Sequence, residues 1–137
     1  VYQAGTLSGN PIAMAAGKTM LTYLNEHPET YTYLNKITQR IVDGFRHNLE
    51  SLGLLHTINH VGSMFSLFFT NSDVVNFDSA KTSDTVMFGK YFQKMLEKGI
   101  YLAPSQYETL FISTAITEEL ADKIIAANKE ALKEIHS

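Results

Sequence analysis

The sequence predicts an α+β domain in which helices cover one face of a small, mostly antiparallel sheet. Three observations carry this. Apolar residues recur at helical spacing in four separate stretches, starting near positions 11, 30, 84 and 117. Between the second and third, residues 54–69 are dense in β-branched and aromatic side chains, which suit a pleated surface. Capping residues, glycines and prolines fall at the changes of pattern. The order is helix, helix, strands, helix, strands, helix, which places the sheet and its cover in one layered unit.

The first helix starts at Ser8-Gly9-Asn10-Pro11. Asn10 is fit to cap free amides, and Pro11 suits the first helical position, where a missing N–H costs nothing. Ile12, Ala15, Ala16, Met20 and Leu24 follow at helical spacing until Pro28 stops the run. Small residues at Ala13, Ala15, Ala16 and Gly17 leave room for another backbone to come close. A second helix runs from about Thr30, with Leu34, Ile37, Ile41, Phe45, Leu49 and Leu52 as its stripe and Gly53 as its stop.

Leu54 to Val61 and Ser63 to Phe69 read as two strands parted by Gly62, or as one strand bulged there. Residues 70–83 read as a polar loop with an apolar island at Val74-Val75. A third helix over Asp84 to Lys98 presents Met87, Tyr91 and Met95 on one face, and Gly99 closes it. Ile100 to Leu102 predicts a short strand stopped by Pro104, and Leu110 to Thr114 predicts another. Thr117 caps the last helix, with Glu118 and Glu119 at its positive end. Its expected core face is Leu120, Ile124, Leu132 and Ile135, with Ala127 and Ala131 beside them.

With 137 residues the chain suits one domain, and 45% hydrophobic content with eight Phe and seven Tyr suffices for a core. Charged residues are 18%, below the usual quarter or so of a soluble domain, which suggests surface that is normally covered. A net charge of −3 with no basic cluster argues against nucleic-acid binding, which needs cations to replace phosphate counterions. Without cysteine there is neither a disulfide nor a thiolate metal site. No apolar run approaches the roughly 18 residues of a membrane span, and no signal-peptide pattern opens the chain, so a cytoplasmic setting is expected. The chain begins Val1-Tyr2-Gln3 with no initiator Met, as a piece of something longer would.

General catalytic signatures are few. There is no nucleotide phosphate loop or dinucleotide glycine fingerprint, and no serine stands with a convincing His and acid pair. His56 and His60 would share a strand face, but no nearby carboxylate completes a metal set, so a metal is not expected. The segment Gly5-Thr6-Leu7-Ser8-Gly9-Asn10-Pro11 sets a hydroxyl and flexible backbone before a helix N-terminus. Such a place receives anions such as phosphate, yet an ordinary capped loop has the same spacing, and spacing alone leaves both open.

Three blocks resemble one family. Tyr2-Gln3-Ala4-Gly5-Thr6-Leu7-Ser8-Gly9-Asn10-Pro11 is similar to the segment that follows the catalytic-lysine region of glutamate-1-semialdehyde aminomutases, in the class-III, fold-type I aminotransferases. His60-Val61-Gly62-Ser63-Met64-Phe65 with Phe68-Phe69-Thr70, and Gly99 through Glu108, continue the resemblance over nearly the whole chain. Thr-x-x-Gly-Asn-Pro alone marks only the wider aminotransferase class. The three blocks in order are more specific.

The resemblance implies a C-terminal small domain over 29–137, preceded over 1–28 by a cofactor-phosphate loop and linker helix. It implies pyridoxal 5′-phosphate and pyridoxamine 5′-phosphate as cofactors, and a homodimer. Gly5 and Thr6 would reach the cofactor phosphate of the neighbouring subunit, with Tyr2 near the same site. Ser105 would line the mouth, and Glu108 would face a substrate or intermediate carrying amino groups. The only arginines, Arg40 and Arg46, lie on the second helix, so nothing after them supplies the guanidinium that grips an α-carboxylate in related enzymes. The implied activity is conversion of glutamate-1-semialdehyde to 5-aminolevulinate through a diamino intermediate. The family's Schiff-base lysine lies before the matched segment, and no lysine here matches its motif, so this chain alone is expected to be inert. Thr109-Leu110, Ile116 and Ser63 depart from residues common in the family and bear on fine substrate contacts. The alternatives are another ω-aminotransferase of the same fold and a non-catalytic interaction domain.

Overall fold

The computed structural model describes residues 4–136. Helix α1 (Pro11–Glu26) starts where the sequence predicts, because the Asn10 side chain accepts from the amides of Ile12 and Ala13. His27 closes it, and Pro28 then serves as the N-cap of α2 (Glu29–Ser51), so the proline that ends one helix opens the next. Gly53, at φ +65°, turns the chain away after α2.

Strands β1 (Thr57–Val61) and β2 (Met64–Phe68) form a hairpin, paired from Thr57↔Phe68 to Val61↔Met64. Only Gly62 and Ser63 connect them. Gly62 has a φ of +57° and Ser63 does not share the positive sign, the pattern of a type II′ turn. The bulged single strand is therefore not what forms. The stretch expected as a polar loop contains α3 (Phe77–Ala80), one turn held by a capping box between Asn76 and Ser79. Asp84 caps α4 (Thr85–Glu97) through the Met87 amide.

Strand β3 (Leu110–Phe111) pairs antiparallel with β2, giving the order β1-β2-β3. It is shorter than the predicted 110–114. Ile100 to Leu102 is not a strand: residues 100–102 join no ladder, although the outer edges of β1 and β3 carry no other strand among the described residues. Helix α5 (Glu118–His136) starts at Thr117, whose hydroxyl accepts from the Leu120 amide at 3.2 Å.

The core lies between the inner sheet face and α2, α4 and α5. Ile37, Ile41, Phe45 and Leu49 of α2 are buried against Phe65, Leu67 and Phe69, while Tyr91, Met95, Ala121, Ala131 and Leu132 close the far side. Each large side chain so buried contributes about 1.5–3 kcal/mol, which is what fixes α2 on the sheet. Phe45 meets Phe65 edge-on at 5.7 Å, and Phe69 meets Tyr91 at 5.6 Å. Of the face expected on α5, Leu132 and Ala131 are fully buried and Ile124, Ala127 and Ile135 pack against the core, whereas Leu120 is 40% exposed and Ala121 and Asn128 are buried in addition. Small Ala121 and polar Asn128 carry little hydrophobic signal, which is why the expected stripe omits them.

Asn128 is fully buried and joins three helices. It accepts from Asn48 Nδ2 at 2.9 Å and donates to the Tyr91 oxygen at 2.7 Å, while Asn48 also donates to the Ile125 carbonyl at 2.9 Å. Burial pushes the Tyr91 phenol above its ordinary range, and the bond from Asn128 only partly offsets this.

Helix α1 differs from the rest. None of its residues is buried, and Ile12 is 81% and Leu21 70% exposed. Its apolar spacing is real, but among the described residues nothing buries it fully, and only Ala13 and Leu24 of its apolar side chains are partly covered. Among the described residues, no helix is long and apolar enough to cross a membrane.

Candidate functional site

The predicted site residues fall on two separate loops. The first leads into α1. Ser8 donates its amide to the Gly5 carbonyl, and Asn10 donates to Leu7, each at 3.0 Å, so two successive turns deliver the chain to the helix. Gly9 holds a φ of +76° between them. A Cβ on Gly5 would come within 3.0 Å of the Ser8 hydroxyl, so the turn favours a residue without one.

The amides of Ile12 and Ala13 are already bonded to Asn10, and Pro11 has none. The opening of α1 is thus capped from within, and the helix start itself is not the open anion receptor that its position suggests. What remains is upstream. Gly5 and Thr6 are exposed, and the Thr6 amide and hydroxyl make no hydrogen bond among the described residues. Two or three donors presented to solvent in one turn fit the acceptor oxygens of a phosphate ester. Tyr2 lies outside the described residues.

The second loop joins the segment after α4 to β3. The Ser105 carbonyl accepts from the Glu108 amide at 3.1 Å, and its hydroxyl accepts from the Tyr107 amide at 3.2 Å. Glu108 is exposed, and its carboxylate has no hydrogen bond or ion pair among the described residues. An uncommitted carboxylate at the lip of a packed domain is free to accept from an amino group. Beneath it, Glu108, Gln106 and Leu110 line a void of about 10 Å³ with Phe45, Leu67 and Tyr91. That space holds a water at most. Any ligand of Glu108 would therefore approach from the solvent side.

No hydrogen bond among the described residues joins the two loops. A larger groove of about 800 Å³ lies between α1 and α2, lined by Met20, Tyr23, Leu24 and Leu34 among others, but neither loop contributes to it. It has no carboxylate, histidine or lysine in its walls.

Both arginines are ion-paired on the surface of the domain. Arg40 makes a two-pronged bond to Asp122, at 2.7 and 2.9 Å, and Arg46 bonds to Asp43 at 3.1 Å. The Asp122 carboxylate is held below its usual range chiefly by the hydrogen bond from Arg40. His56 and His60 spend ring nitrogens on the carbonyls of Leu54 and Gly62. Among the described residues, no group of three or more metal-binding side chains is gathered.

Sequence reasoning missed two features beside Glu108. Gln106 is only 5% exposed and donates to the Leu67 carbonyl at 2.6 Å, and the exposed Phe77 ring stacks edge-on against Tyr107 at 5.4 Å. Gln106 had a weak signal in advance, since an uncharged polar residue stands between apolar segments there. Phe77 belongs to a helix that the loop reading did not contain.

No protein-family model matches the chain. Curated proteins do. The chain is 58% identical over 137 residues to the glutamate-1-semialdehyde 2,1-aminomutase of Cytophaga hutchinsonii, covering 100% of this chain and 32% of that protein. It is 48% identical over 133 residues to the glutamate-1-semialdehyde 2,1-aminomutase 2 of Brevibacillus brevis, covering 97% of this chain and 31% of that protein. The chain thus spans about a third of the length of these relatives, and matches their C-terminal domain. Among solved structures, an omega-transaminase from Sphaerobacter thermophilus superposes with a TM-score of 0.81 at 19% identity, over 100% of this chain and 31% of that one. A transaminase with PLP bound superposes with a TM-score of 0.77 at 25% identity, over 98% and 30%. A glutamate-1-semialdehyde-aminomutase from Pseudomonas aeruginosa PAO1 gives 0.70 at 18% identity, over 78% and 24%. The small antiparallel sheet with its helical cover is the C-terminal domain architecture of fold-type I aminotransferases.

Proposed function

We propose, from the premise that this chain matches the C-terminal fold-type I domain of glutamate-1-semialdehyde 2,1-aminomutases along its whole length, that it serves such an enzyme. The whole protein would convert glutamate-1-semialdehyde to 5-aminolevulinate, the tetrapyrrole precursor, in the cytoplasm. The observation that carries the reading is the 58% identity sustained over all 137 residues.

When bound, pyridoxal 5′-phosphate or its pyridoxamine form supplies the electron sink and carries the amine. The residues here do other work. Gly5 and Thr6 offer an amide and a hydroxyl to the cofactor phosphate of the neighbouring subunit. Residues 1–28 act as loop and linker, and 29–137 as the small domain. Ser105 sits at the site mouth. Glu108 accepts hydrogen bonds from the amino groups of the substrate, as a carboxylate that relays a proton between them would. Arg40 and Arg46 are both ion-paired, which supports a substrate recognised through its amines.

The chain by itself holds only part of that site. No lysine of the sequence matches the family's Schiff-base motif, and Lys18 lies on α1, so in this reading that lysine belongs to the segment before the matched one. The test is a hybrid in which this chain replaces the matching third of the Cytophaga hutchinsonii enzyme. We expect the hybrid to form 5-aminolevulinate, and Glu108→Gln to lower kcat by about 10²-fold or more, the scale of a lost proton-handling group. A folded hybrid that bound the cofactor and transaminated ω-amines, but made no 5-aminolevulinate, would assign the domain to another aminotransferase.

A further inference from the structure

We propose that Gln106 is a positioning residue for Glu108, its side chain standing in for the backbone bond that Glu108 gives up. The inference rests on the reading of Glu108 above. The ladder geometry leads to it directly.

β2 and β3 pair as Met64↔Phe111 and Phe65↔Leu110. The Ile112 amide donates to the Ser63 carbonyl at 2.9 Å, which marks that position as a hydrogen-bonded pair. Such pairs alternate in an antiparallel ladder, so the next are Phe65 with Leu110 and then Leu67 with Glu108. If β3 began two residues earlier, the Glu108 amide would donate to the Leu67 carbonyl. It does not. Glu108 turns its amide to the Ser105 carbonyl at 3.1 Å, and the strand ends.

The abandoned acceptor lies under the domain surface, where an unpaired carbonyl is costly. Gln106 Nε2 fills its place, donating to Leu67 O at 2.6 Å with the side chain 95% enclosed, the complement of its 5% exposure. A side-chain amide has the same donor as a backbone amide, so the sheet loses no bond while the main chain peels away. That departure sets Glu108 at the lip of the domain instead of in the ladder. Ser66 and Thr109, the next register partners outward, remain linked by their hydroxyls at 3.3 Å, so the splaying is confined to the turn.

Gln106 Oε1 has no hydrogen-bond partner among the described residues, although it is buried beside the void below Glu108. A residue kept only for packing would not need a polar end left unsatisfied; the donor is what the position uses.

The test uses the hybrid enzyme with Gln106→Met, which keeps length and removes the donor, and Gln106→Asn, which is too short to reach Leu67. Amide hydrogen exchange is read at Glu108 and Leu67 against α2 and α5. We expect the Glu108 amide, freed to swing from Ser105 towards Leu67, to change its protection at least about 10-fold in both variants while α2 and α5 keep theirs. Unchanged protection at Glu108 would overturn the proposal. Turnover supplies the second arm. Q106M should lower kcat more than it raises KM, and should have little further effect in an E108Q background. Additive losses would overturn the proposal by giving Gln106 a role independent of Glu108. If E108Q alone left kcat unchanged, the reading of Glu108 would fail, and the exchange arm would still decide whether Gln106 holds the turn.

Discussion

Gly44 sits in the middle of α2, where glycine should weaken the helix. A Cβ built there would stand 2.6 Å from both Cγ1 and Cδ1 of Ile125 and 2.8 Å from its Cγ2. Three carbons of one β-branched side chain crowd the same point, so a single rotamer change cannot clear it. Helix α5 has to move away from α2. Overpacking of this kind costs about 1–3 kcal/mol, while replacing glycine in a helix returns about 1 kcal/mol. Gly44→Ala is therefore expected to destabilise the chain by up to about 2 kcal/mol net, read as a lower urea midpoint at unchanged slope. Gly89, in the interior of α4, is the internal control, since its Cβ would meet nothing within 4 Å. Gly89→Ala should stabilise by about 0.5–1 kcal/mol. Removing the obstacle with Ile125→Ala should make the cost of G44A vanish in the double variant, a coupling that propensity alone does not produce. If G44A and G89A raised stability equally, the close packing of α2 on α5 would be wrong.

Three further outcomes follow from the same structure. Asn128→Ala removes two buried hydrogen bonds and opens a cavity between α2, α4 and α5, so chemical denaturation should show a loss of about 2–4 kcal/mol; a loss within error would mean the network is not closed. The Asp122 carboxylate is held below its ordinary range in the folded chain, mainly by Arg40, so its contribution is present above the unfolded value and is lost as pH falls through the folded one. Urea midpoints measured near neutrality and at strongly acidic pH should therefore fall less in Arg40→Gln than in the parent, by a small margin because both groups are about half exposed; an equal fall would remove Arg40 as the cause. In the isolated chain the amides of α1 should exchange far faster than those of α2 and α5, because a 16-residue helix with no buried side chain is marginal in water. Equal protection would show that α1 is held by the rest of the domain.

The helices were legible where their ends are chemical. Asn10-Pro11, Asp84 and Thr117 name their own caps, and Gly53 and Gly99 turn at positive φ. What failed was whatever depends on a partner. Ile100 to Leu102 has strand composition, but strand state needs a ladder partner, and this stretch pairs with neither outer edge of the sheet. The stripe on α5 pointed to Leu120 because side-chain size outweighed direction, while Ala121 and Asn128 face inward. The apolar run of α1 was correctly read as helical, yet among the described residues nothing buries it fully, consistent with the low charge content that suggested a covered surface. At the site, Gly5, Thr6, Ser105 and Glu108 came from motif resemblance rather than from local physics. Gln106 shows the limit of both, since its meaning lies in a register that only the folded ladder defines.

The central claim is that this chain carries one wall of an aminomutase site and not the whole of it. The direct measurement adds pyridoxal 5′-phosphate to the purified chain, reduces with borohydride, maps modified lysines and assays glutamate-1-semialdehyde. The account predicts scattered, substoichiometric labelling and no 5-aminolevulinate. One stoichiometric lysine adduct with turnover would contradict it and place a complete site within these 137 residues.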